Sequence, residues 1–154
     1  MLKNYSSTVA ASRSVAWIEQ RLVDFGASNI SKRYDPATKQ LLAIMFQIPR
    51  NGMVYPVVLP ARIPAAEKAL RKARSSRRPP TSEAEQRIKE QAERTAWKIL
   101  ADWVDAQLAM IVLEQVEFLE VFMAFLYDSK TGRSFFEQVR DNGFKALPAH
   151  EAQK

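Results

Sequence analysis

Apolar residues recur along the first third of this chain with two different periods, and the switch between them separates a helix from a set of strands. Val15, Ile18, Leu22 and Phe25 are spaced by three and four, the repeat of one helical face, with Trp17 and Arg21 on its flank. A helix is predicted over Ser12 to Phe25, ended by Gly26, which takes a left-handed backbone without a Cβ clash. From Gln40 to Ile48 the repeat is two: Leu42, Ile44, Phe46 and Ile48 alternate with Leu41, Ala43, Met45 and Gln47. This reads as the middle strand of three, flanked by Ser28 to Tyr34 and Met53 to Leu59. The reversals Asp35-Pro36-Ala37-Thr38 and Pro49-Arg50-Asn51-Gly52 join them. Pro56 has no N–H to give a ladder, so the third strand is expected at an edge.

The second half is helical. Ala65 to Ala73 is compatible with a short basic helix, and Ser75-Ser76-Arg77-Arg78-Pro79-Pro80 has no apolar period and reads as a mobile loop. Ser82-Glu83-Ala84-Glu85 is a capping-box pattern, and a long helix is predicted from Ser82 to about Leu113. Its apolar arc widens beyond Lys98, which demands cover from the sheet, the next helix or a second subunit. Val116 to Tyr127 is predicted to form that next helix and Ser134 to Asp141 a last short one, with a weakly structured tail from Gly143. The expected class is α+β: an N-terminal helix, a three-stranded antiparallel meander, then a long amphipathic helix and shorter C-terminal helices packed on the sheet. All of it forms a single domain over 1–154. Within it, 1–61 carries the helix and meander, 62–81 is the basic segment, 82–142 is helical and 143–154 is tail.

Composition narrows the chemistry. The 154 residues are 47% hydrophobic and 26% charged, an ordinary globular balance with a net charge of +6. No apolar run spans a bilayer and the polar start lacks the apolar core of a signal peptide, so a cytoplasmic protein with no membrane partner is expected. There is no cysteine, and the only histidine, His150, lies in the polar tail. Thiolate nucleophiles, disulfides and Cys-based zinc sites are therefore excluded, and four glycines leave nothing like a phosphate-binding loop. No catalytic constellation, cofactor motif or metal motif emerges.

Charge is segregated instead. Arg62 to Lys98 holds eleven Lys or Arg against five Asp or Glu, whereas Ile99 to Asp128 holds six acids and no base. The two stretches carry +6 and −6 and meet inside the long predicted helix.

Several short motifs, in order, resemble a family of uncharacterised phage and prophage proteins. They are Gly26-Ala27 after the first helix, Leu59-Pro60 after the strands, the Arg94-x-x-Trp97-x-x-Leu100 helix core and the acidic Phe segment Glu117 to Phe122. The Gly132-Arg133-Ser134 turn and Leu147-Pro148 complete the series. Where many members carry a glycine between the last two long helices, this chain has Leu113-Glu114-Gln115-Val116. The resemblance implies a mobile-element protein of α+β fold with no assigned activity, and it supplies no catalytic residue.

The candidate binding residues follow from the charge. Lys68, Arg71, Lys72, Arg74, Arg77 and Arg78 face a single acid between Glu67 and Arg78, a density suited to a phosphate backbone or to an acidic host protein. Arg94, Trp97 and Lys98 extend the set. Trp97 suits either stacking on a base or the commoner role of core packing, and its spacing from Trp103 is expected to keep the two off one core. Asp102 and Asp105 share a helix face but have no histidine beside them, and a solvated acidic stripe is the plainer reading. A homo-oligomer through the Ile99 to Leu126 surface is expected from its apolar breadth. The leading functional reading is a non-enzymatic accessory protein that binds nucleic acid without sequence preference. The alternative is an anti-defence protein that holds a host effector or a small signalling nucleotide.

Overall fold

A computed structural model describes residues 3–75 and 77–153. Met1 and Leu2 of the polar start, Ser76 of the expected loop and Lys154 of the tail lie outside the described residues. Helix α1 (Ala11–Phe25) leads into strands β1 (Asn29–Tyr34), β2 (Leu41–Arg50) and β3 (Met53–Pro60). Helices α2 (Ile63–Lys72), α3 (Ser82–Val112) and α4 (Phe118–Phe122) follow, then a 3-10 turn (Met123–Phe125) and α5 (Phe135–Asp141). The α+β class and the order of the elements are those expected from the periodicities.

The sheet is antiparallel in the order β1-β2-β3, so the strand with the strict alternation is central. Ile44 sits opposite Leu59 and Phe46 opposite Val57, which places these four on one face. That face is the floor of the core, against Val15, Ile18 and Leu22 of α1 and Ala96, Trp97 and Val104 of α3. Phe122 closes it, with its ring edge-on to Phe46 at 5.9 Å and to Trp103 at 5.6 Å. Each large apolar side chain buried here contributes about 1.5–3 kcal/mol over leaving it in water.

Three local expectations are corrected. Thr81, not Ser82, caps α3: its hydroxyl accepts from the Ala84 N–H at 3.2 Å, while the Glu85 carboxylate is drawn to Arg71. The predicted helix from Val116 to Tyr127 is only α4 and the 3-10 turn, after which Leu126 extends and bridges Val57. The physical reason is the open edge of β3: the Tyr127 N–H donates to the Pro56 carbonyl at 3.1 Å, pairing an acceptor that helix continuation would leave unmatched. Trp97 and Trp103 do reach one core, because α3 is flanked by α1 on one side and by the α4 aromatics on another.

The break after α3 forms without glycine. Glu114 takes a φ of 59°, and the Glu114 and Gln115 N–H groups close on the Ile111 and Met110 carbonyls. The wide apolar arc of α3 is largely covered from within the chain. Ile99, Val112, Leu113 and Met123 are the large apolar residues of 99–126 that stay exposed, so the demand for a second subunit shrinks to them. Among the described residues no helix is long and apolar enough to cross a membrane.

Candidate nucleic-acid interface

Helix α2 is built to show a basic face. Ile63 is buried and Ala66 and Leu70 are half-buried, and these positions turn toward the core and α3. Pro64 suits the first turn, where its missing N–H has no helical partner anyway, and Arg71 and Lys72 complement the negative C-terminal end of the helix dipole. Lys68 and Lys72, four residues apart, share the opposite face and are exposed. Arg77 and Arg78 are exposed beyond the helix, and Arg74 is half-buried.

Arg71 performs a different task from its neighbours. Its guanidinium donates to Glu67 Oε1 at 2.6 Å and to Glu85 Oε1 at 2.8 Å, tying α2 to the first turn of α3. The Arg71 contact holds the Glu85 carboxyl below its ordinary value, with Lys89 and Arg74 adding to the effect. Arg71 itself is pushed further into its charged form by Glu85 and then Glu67. This cation is therefore a clamp rather than a free contact. Among the described residues Lys68, Lys72, Arg74 and Arg77 make no ion pair.

The second group of expected residues does not join them. Trp97 is 0% exposed, so its indole is unavailable to a base. Arg94 donates to the Ser7 carbonyl at 3.3 Å and to Gln91 Oε1 at 2.7 Å, and Lys98 donates to Asp102 Oδ1 at 2.9 Å. These three residues pin the N-terminal segment and the core side of α3, a role fixed by tertiary contacts that sequence proximity does not reveal. The fold instead adds two cations the sequence reading passed over: Arg87 and Lys89, exposed on the first turns of α3. The spacing of Glu85 and Lys89, one helical turn apart, was the signal available for Lys89.

The acidic half is engaged as well. Burial pushes the Asp102 carboxyl up, but hydrogen bonds from Lys98 and Asn4, with Lys3 nearby, outweigh it and hold the group below its ordinary value. Asp105 pairs with Arg21 at 3.0 Å. Among the described residues no group of three or more metal-ligating side chains comes together. Comparison of the chain with family models, curated proteins and solved structures returns no match.

Proposed function

We propose that this protein is a non-enzymatic, mobile-element accessory protein that holds the phosphate backbone of nucleic acid on the basic face formed by α2, the segment after it and the first turns of α3. The observation that carries this reading is the set Lys68, Lys72, Arg74 and Arg77, which make no ion pair among the described residues and sit beside a helix pair locked by Arg71. Such cations bind by releasing counterions condensed on the polyanion, which gives affinity without sequence information. No aromatic residue lies between Arg62 and Pro80, so base stacking has no partner within that segment.

Fluorescence anisotropy with labelled single-stranded and duplex DNA at low salt tests it. Equal affinities for unrelated sequences are expected, and absence of binding even at low salt rejects the reading. A pull-down from nuclease-treated host lysate addresses the anti-defence reading: a partner retained after digestion assigns the face to an acidic protein instead.

A further inference from the structure

A second place on the molecule has the chemistry of a binding site, apart from the basic face. Strand residues Arg33, Ala43, Met45 and Val58 point to the side of the sheet away from the core, as their register requires. The chain from Ala124 to Glu137 lies against part of that side and leaves a cavity of about 280 Å³. Its apolar wall is Val58, Pro60, Phe125 and Phe136, and two arginines, Arg33 and Arg62, line it as well.

The polar accounting leaves a surplus of positive charge. Glu137 is the one acid on the lining, and its carboxylate accepts from the Ser134 hydroxyl at 3.2 Å. Arg33 donates a hydrogen bond to the Met45 sulfur at 3.4 Å, a weak acceptor, and among the described residues neither Arg33 nor Arg62 forms an ion pair. Arg62 also holds a φ of 53°, a conformation that glycine adopts more cheaply. Arg62 lines the cavity from this strained position.

We infer that this cavity binds a small organic anion, with Arg33 and Arg62 taking its carboxylate or phosphate oxygens and the wall of Val58, Pro60, Phe125 and Phe136 taking an apolar body. Guanidinium groups match planar and tetrahedral oxyanions with paired N–H donors, and small-molecule sites generally combine an apolar lining with a few placed polar groups. The inference is independent of the nucleic-acid reading, because none of Lys68, Lys72, Arg74 and Arg77 lines the cavity.

The test is a fluorescence titration of the full chain with anilinonaphthalene sulfonate, an aromatic anion, followed by displacement with decanoate and, separately, with adenosine monophosphate. Saturable one-site binding is expected, weakened roughly tenfold by Arg33→Gln and by Arg62→Gly and unchanged by Arg13→Ala, an exposed arginine of α1 that does not line the cavity. Arg62→Gly removes the charge at a position where glycine relieves strain, so its thermal midpoint is expected at or above that of the parent protein. Displacement by decanoate alone assigns a carboxylate ligand, and displacement by adenosine monophosphate assigns a phosphate. Unsaturable signal, an affinity unchanged from the parent protein in both arginine variants, or displacement by neither competitor overturns the inference.

Discussion

Glu114 and Asp102 show how single side chains settle questions that neighbouring sequence leaves undecided. At Glu114 the backbone turns left-handed to stop α3, a conformation costing an L-residue about 1–2 kcal/mol relative to the right-handed one. Its ideal replacement is glycine, the residue that usually fills this position. Glu114→Gly is therefore expected to raise stability by about 1 kcal/mol in urea unfolding, and a loss would contradict the strain assigned here. Asp102 makes a pH-dependent contribution. Its folded pKa lies below the unfolded value, so the stability it confers is present above the unfolded pKa and is lost as pH falls through the folded one. Asp102→Asn is expected to lower the urea midpoint at about pH 7, and the gap is expected to close as the pH falls below the folded pKa and the aspartate becomes protonated. A gap that persists in acid would assign the effect to packing. These partners were not legible beforehand: Asn4 and Asp102 are separated by 98 positions, and only packing brings them to 2.9 Å.

Periodicity exposed most of the helices and strands, because a face that must be buried writes its own repeat into the chain. The spacing of Val15, Ile18 and Leu22 gave α1, the alternation through Ile44, Phe46 and Ile48 gave β2, and all six are buried. The same logic failed from Val116 to Tyr127. A helical repeat was present there, but the unpaired carbonyl of Pro56 captured the chain after Phe125, a competition invisible in local pattern. Trp97 is the instructive case for the candidate site. Its basic neighbours left stacking on a base open beside the commoner role of core packing, and the helix turns it fully inward. Trp97→Ala is expected to cost about 3–5 kcal/mol in stability, whereas Trp97→Phe should leave DNA affinity unchanged in the folded protein. A marked affinity loss in Trp97→Phe would return the indole to the binding surface. The α2 and α3 pair supplies another expectation. Arg71→Ala should speed amide exchange across 63–72 while leaving α3 from Ala92 onward protected, because the clamp acts only on the first turn of α3.

The molecule as a whole separates its charge along the fold. Two of the acids on α3 are matched: Asp102 by Lys98 and Lys3, and Asp105 by Arg21. At the other end the cations outnumber the carboxylates available to meet them, and Arg71 alone takes both Glu67 and Glu85. The sequence revealed the surplus as a count, but it could not tell clamps from contacts, since that distinction rests on how α2 folds back on α3. The direct test of this assignment is the salt dependence of duplex DNA binding, compared between the parent protein and a variant carrying Lys68→Gln, Lys72→Gln, Arg74→Gln and Arg77→Gln. If the four cations each neutralise a phosphate, the slope of log K against log salt is shallower by about 3.6 in the variant than in the parent protein, with affinity lost. A variant that keeps the parent slope and affinity would contradict the account.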